Sequence, residues 1–305
     1  KEYFKKKLIQ TIKFINKEFK NEENLYGSAY DADSEGVEGK YYVWSYEELK
    51  KLLENDLKLF EKKYEISSAG NFEGKNILVE SKNELNEVEQ TKITQIEEKL
   101  IQERSKRVRP FFDDKSQTDL NAFILDTLIG SAIVLGDNNL KNEAMSTLEI
   151  LNKKLSNKIY HCYDSTEIDA FLEDYVYYAM LLVTLYEVNG DEKSLEKAIN
   201  TMKEIWEIFY NKDTQLLQKN KIKDNDLFVS PIDLNDSNIP NGNSVYLNLC
   251  NKIYTITNDK FWFDKVEILK KSFHQVLNSF FSQMFSFIKV LDLCENSISF
   301  TFFGN

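Results

Sequence analysis

Three stretches of this chain, residues 120–135, 171–188 and 245–256, are apolar nearly all the way round over helical lengths. Each is followed almost at once by a second helical stretch that is charged on one side and apolar on the other, as with Glu192, Lys193, Glu196 and Lys197 in residues 191–210. A helix with no polar face has to be enclosed, whereas a striped helix covers something and faces water, so the two kinds form an inner and an outer layer. The joints are Gly136-Asp137, Gly190-Asp191 and Asn258-Asp259. Gly and Asn accept the left-handed backbone that ends a helix, and the residue after them opens the next one. Alternating inner and outer helices, each inner one preceded by a polar loop, specify an (α/α) toroid or an α-solenoid with those loops on one face. The expected fold class is mainly α: an (α/α) toroid of at least seven helices with a few short β strands. Residues 3–19, 46–64 and 83–103 read as further helices; residues 40–44, 76–80 and a hairpin over 215–229 read as strands between turn signals.

At 305 residues and 42% hydrophobic content the chain can bury one large core, and a single toroid domain over residues 1–305 is expected. Its formal charge of -11 disfavours nucleic acid and anionic membranes as partners. Cys162, Cys250 and Cys294 are isolated and odd in number, without a C-x-x-C spacing, which argues against a disulfide framework or a zinc knuckle and for a reducing, cytoplasmic setting. The Lys-rich amphipathic start is unlike a signal segment, and no apolar run is expected to reach the roughly 20 residues that span a bilayer.

The polar loops hold the chemistry. Residues 27–44 carry Asp31, Asp33, Glu35 and Glu38 among Gly27, Gly36 and Gly39, and run into Tyr41, Tyr42, Val43 and Trp44. Glycines permit positive φ and close approach, and the aromatic run pins the loop's exit. Asp113 and Asp114 with Lys115, and Glu173 with Asp174, open later helices, with Arg104, Arg107 and Arg109 as nearby cations. Paired carboxylates converging from separate loops suit sugar chemistry, in which one carboxyl is kept protonated and the other ionised. Carboxylates ahead of helices also serve as caps. Asp31, Asp33, Asp113 and Asp114 are the catalytic candidates. Glu35, Trp44, Arg107, Lys115, Asn121, Glu173, Asp174, Tyr175, Asn241 and Asn243 are the substrate-binding candidates, with Trp44 or Tyr175 stacking on a neutral sugar or polyol and Arg107 tying down Asp113 or Asp114. Residues 31–36 mimic the first half of a calcium loop, but Tyr42 stands where a bidentate Glu is needed. No G-K-[ST] follows the glycines, so neither a metal nor a phosphate cofactor is expected. The two histidines, His161 and His274, lie outside these loops and read as packed or capping residues.

Five of these segments occur together and in order: residues 27–44, residues 70–78 with Gly70-Asn71-Phe72-Glu73-Gly74-Lys75-Asn76, Arg109-Pro110-Phe111-Phe112-Asp113-Asp114-Lys115, Phe171-Leu172-Glu173-Asp174-Tyr175 and Ile239-Pro240-Asn241-Gly242-Asn243-Ser244. In this the chain resembles the thioredoxin-domain-containing, spermatogenesis-associated protein 20-like family and its bacterial relatives. The resemblance implies a helical part similar to six-hairpin glycosidases and sugar epimerases, preceded in full-length relatives by a thioredoxin-like domain that this chain lacks, and continuing beyond its end, so that the toroid is expected to be incomplete. Relatives carry a His where Phe111 stands and a Trp where Leu120 stands, with Asn121 retained, which implies altered or lost activity here. Three readings follow from the resemblance and the loops: a carbohydrate-active or sugar-binding toroid, a ligand- or partner-binding domain that works with the thioredoxin-like module, and a helical interaction scaffold.

Overall fold

The computed structural model describes residues 1–156, 158–163, 168–221 and 231–298. Their helices, in chain order, are α1 Glu2–Glu18, α2 Tyr46–Leu53, α3 Leu57–Lys63, α4 Glu87–Ser105, α5 Thr118–Leu135, α6 Asn138–Lys154, α7 Leu172–Asn189, α8 Glu192–Phe209, α9 Gly242–Thr257, α10 Lys260–Phe280 and α11 Phe285–Asn296. Two compact units divide them: a helical unit of Lys1–Ser28 with Asp114–Asn305, and a small unit of Ala29–Asp113.

The helical unit is built from the helical hairpins of an (α/α) toroid. The pairs α5/α6, α7/α8 and α9/α10 each join an inner to an outer helix, and α5, α7, α9 and α11 pack in succession along the inner layer. The inner helices are the apolar ones: α7 buries Leu172, Tyr175, Val176, Tyr177, Tyr178 and Ala179 in its first two turns. The outer α8 buries one stripe, Ala198, Thr201, Met202, Ile205 and Phe209. Each joint works as its two residues dictate. Gly136, Gly190 and Asn258 take the left-handed conformation at φ 66°, 67° and 54°. Asp137, Asp191 and Asp259 then cap the following helix, accepting from the backbone N–H groups of Asn139 and Leu140, of Lys193, and of Phe261. Such a cap contributes about 1 kcal/mol. By length and composition α5 could cross a membrane, contrary to the expectation that no run is so apolar. It is an inner helix of this unit, packed on α6 and α7.

The small unit has its own core of Trp44, Leu49, Leu53, Phe60, Ile93, Ile96 and Leu100. Its first and last residues meet in an antiparallel pair, Ala29 opposite Asp113 and Tyr30 opposite Phe112. The acidic loop is a hairpin, Asp33–Ser34 paired with Val37–Glu38, and Glu35 and Gly36 turn it with positive φ at both positions, as a two-residue turn of this hand requires.

Two local expectations are corrected. The helix over 46–64 is broken at Glu54, whose φ is 48°, where the polar run Glu54-Asn55-Asp56 makes a 3₁₀ turn between α2 and α3. Residues 40–42 form turns rather than a strand, and the segment pairs only through Trp44, in an antiparallel bridge with Asn76; Arg107 gathers the carbonyls, its Nη1 donating to Tyr41 O at 2.9 Å and Val43 O at 2.8 Å. Of the hairpin over 215–229, residues 222–230 lie outside the described residues; Leu216–Leu217 pairs with Tyr210–Asn211 upstream. The strand-like run at 298–304 also lies outside them beyond Ile298.

Candidate functional site

The inner helices α5, α7 and α9 begin at one cavity of about 460 Å³ in the helical unit, lined among others by Asp119, His161, Glu173, Lys219, Asp233 and Asn241. A helix start offers unpaired N–H groups and about half a positive charge, so three of them favour the carboxylates gathered there. Asp174 is fully buried, and its oxygens accept from the N–H groups of Phe171 at 2.8 Å and Asp119 at 3.0 Å. It also holds the imidazole: His161 Nδ1 lies 3.1 Å from both Asp174 oxygens. This leaves Nε2 as the nitrogen available to the cavity, since His161 makes no other hydrogen bond among the described residues.

The charges are tuned together. Burial, and then the neighbouring Asp174, push the Asp119 carboxyl up to about 6. Burial works against a charged His161, but the hydrogen bond and charge of Asp174, with the charges of Asp119 and Glu173, outweigh it and raise the imidazole above its usual value. Burial raises Glu173 as well, helped by Asp233 and Asp174 and opposed by its own backbone N–H and Lys219. Lys219 is bonded to Asp233 at 3.1 Å. Donor atoms of Asp119, His161 and Asp174 lie within 4.8 Å of one another, a set whose mixed nitrogen and oxygen character would admit a divalent ion. The Asp174 oxygens are already engaged by two backbone N–H groups and the ring, the arrangement of a carboxylate that orients a histidine.

Of the residues expected from sequence, Glu173 and Asn241 line this cavity, and Asp174 is buried behind it against His161. Asp119, Lys219 and Asp233, which the sequence does not mark as site residues, line it too, as does His161, which the sequence marks as packed or capping. The available signal was the repeat itself: Asp119 occupies the first turn of α5 as Glu173 and Asp174 occupy that of α7. Asn121 and Asn243 are fully buried braces. The first clamps Tyr26 by its N–H at 2.8 Å and C=O at 2.9 Å, the second Leu217 by both groups at 2.8 Å. Tyr175 is 3% exposed, packs edge-on against Phe209, and so has no open face for a sugar. Asp114 and Lys115 border a separate pocket of about 310 Å³ with Asn21, Ser116 and Lys154.

In the small unit, Asp31, Asp33 and Glu35 are exposed on or beside the hairpin, with Asp31 accepting from Asp33 N at 3.2 Å and Glu35 paired to Lys40 at 2.8 Å. Asp113 lies in the closing strand. Trp44 is 2% exposed, and the Arg107 guanidinium covers its ring at 4.0 Å, so it is no stacking surface. Arg107 does tie down a loop, but the carboxylate it takes is Glu48 at 2.8 Å rather than Asp113 or Asp114, because residues 40–44 bring their carbonyls to it first. A second cavity of about 540 Å³ in this unit is walled by Val37, Tyr41, Val43, Phe72, Arg107 and Val108.

Among curated proteins, the chain is 24% identical over 324 residues to human spermatogenesis-associated protein 20, covering 87% of this chain and 40% of the relative. The mouse protein matches at 24% over 314 residues with the same coverage. The chain is a remote homologue of spermatogenesis-associated protein 20. It therefore spans about two fifths of the length of the curated relatives it matches. No family model matches. Similar solved structures include a family GH76 α-mannanase of Bacteroides thetaiotaomicron, at TM-score 0.47 and 15% identity over 63% of this chain and 55% of that one. Another is cellobiose 2-epimerase of Bacillus thermoamylovorans, at TM-score 0.42 and 12% identity over 53% and 45%.

Proposed function

We propose that this chain binds a small neutral polyhydroxylated ligand of sugar type in the cavity where α5, α7 and α9 begin, and that His161 exchanges a proton with it. The carrying observation is the His161–Asp174 pair, whose imidazole lines a cavity that also holds Asp119. An imidazole fixed at Nδ1 by a buried carboxylate presents Nε2 in one orientation, as proton transfer requires. Asp119, pushed to about 6, changes charge close to neutral pH and supplies a second proton carrier. Asn235, Ser237 and Asn241 line the same space with amides and a hydroxyl, which suit hydroxyl groups, while the carboxylates and the net charge of -11 oppose phosphates and carboxylic acids. In full-length relatives the partner we expect for this domain is the thioredoxin-like module implied by the sequence resemblance.

Thermal-shift and calorimetric titration with glucose, mannose, cellobiose and α-1,6-mannotriose, against glucose 6-phosphate, tests the reading. Neutral sugars should stabilise the protein and the phosphate should not; the reverse order would overturn the charge argument. The double variant Asp119→Asn/His161→Gln should convert no sugar in a product assay, and turnover undiminished in that variant would remove the assigned chemistry.

A further inference from the structure

We infer that Glu173 and Gly242 form the anchoring point of this cavity: the Glu173 carboxyl takes a hydroxyl group of the bound ligand, and position 242 is glycine because a side chain there would push that carboxyl aside. The inference rests on the ligand cavity proposed above, and two independent observations carry it.

The first is an orphan. Oε2 of Glu173 is buried and has no hydrogen-bond partner among the described residues, although Glu173 lines the cavity. Buried carboxylate oxygens are nearly always bonded, and an unbonded one weakens the fold that holds it. The start of α7 is satisfied by other groups: Asp174 accepts from Phe171 N at 2.8 Å, and Leu172 N donates to Lys219 O at 3.0 Å. The torsion that turns a carboxyl about its last bond is broad and two-fold, so rotation about it can turn the unbonded oxygen to the cavity wall. The raised protonation range of Glu173 lets the group donate to a ligand oxygen as well as accept from a hydroxyl.

The second is a glycine whose backbone does not require one. Gly242 opens α9 and is absent from the positive-φ positions of the chain, so any residue could adopt its conformation, and alanine would favour the helix more. What disfavours a side chain is space. A Cβ at this position would lie 3.0 Å from Cγ and Cδ2 of Leu172 and 3.1 Å from Oε1 of Glu173. The backbone that presents Gly242 is held on both sides: Tyr177 OH donates to Pro240 O at 2.5 Å, Asn241 Nδ2 donates to Leu234 O at 3.0 Å, and Asn241 Oδ1 accepts from Ser244 N at 2.9 Å. The missing side chain is therefore room left for Leu172 and, beside it, for the Glu173 carboxyl, either of which would have to shift by a few tenths of an ångström.

Glu173→Met and Gly242→Ala in the full chain test this by thermal unfolding, first without ligand and then with cellobiose or α-1,6-mannotriose. Removing an orphaned oxygen in Glu173→Met should raise the ligand-free Tm by about 2–4 °C while abolishing stabilisation by sugar. Gly242→Ala should stay folded and bind sugar at least about tenfold more weakly, one anchoring hydrogen bond being worth that much. A lower ligand-free Tm in Glu173→Met would show that the carboxyl serves the fold, and unchanged sugar affinity in Gly242→Ala would show that the glycine does not serve the carboxyl; either result overturns the inference. If no sugar stabilises the wild type, the sugar reading fails instead, and the ligand-free Tm of Glu173→Met still decides whether Oε2 is kept for something other than stability.

Discussion

The clearest consequences at the residue scale are those of protons. A histidine raised in the folded state adds stability that is fully present below the unfolded value of about 6.5 and is lost as pH rises through the folded value. The advantage of wild type over His161→Gln in urea unfolding should therefore be larger at about pH 5.5 than at about pH 8.5. Asp119 has the same sign for a different reason: burial favours its neutral form, so its stabilising share is present below the ordinary carboxylate range and gone above about 6. Asp119→Asn should then stabilise the ligand-free protein at neutral pH by about 1–3 kcal/mol while leaving it little changed in acid. In turnover, a base oriented and charged by Asp174 should show its pH midpoint above the ordinary histidine value, and Asp174→Asn should move that midpoint down. A midpoint that stays in place would mean that the group titrating in the reaction is not His161.

Elements are held by a few residues with separate tasks, and substitution tells those tasks apart. Gly190 ends α7 with a left-handed backbone, so Gly190→Val should cost about 1–2 kcal/mol in chemical unfolding, whereas Gly242→Ala meets no such dihedral penalty. Arg107 binds two turn carbonyls and Glu48 and lies over Trp44; Arg107→Lys keeps the charge but loses the fork and the flat face, and should destabilise the small unit by about 2–3 kcal/mol. The helices were legible in the sequence because burial writes itself into every third and fourth position, and the Gly-Asp and Asn-Asp joints mark their own ends. The site was legible only in part. Glu173, Asp174 and Asn241 stand out because they interrupt apolar helix starts, but His161 reaches Asp174 from a short strand, Tyr160–Cys162, paired with Ile168–Asp169, a proximity that no local spacing records. The turns at 40–42 were missed for a similar reason: aromatic composition favours a strand, and the arginine that gathers the carbonyls there is distant in sequence.

At the scale of the whole molecule, the chain leaves the helical unit at Ser28 and comes back to it at Asp114, and the segment between has a core of its own. Its two ends are neighbours, since Ala29 sits opposite Asp113 in an antiparallel pair, where facing Cα atoms lie about 4.5–5.5 Å apart, little more than the ~3.8 Å of one peptide link. The small unit is thus a cassette. Excising residues 29–113 and joining Ser28 to Asp114 asks the remaining chain to bridge almost no distance, so the deletion should leave a protein with the helical circular dichroism of α1 and α5–α11 and one cooperative unfolding transition. A molten or aggregated product would show that the inserted segment is needed for the helices to fold. In an evolving gene the same geometry makes this position one where a segment can be gained, exchanged or lost without re-threading the helical hairpins, so differences between relatives can accumulate in the cassette while the cavity where α5, α7 and α9 begin keeps its frame.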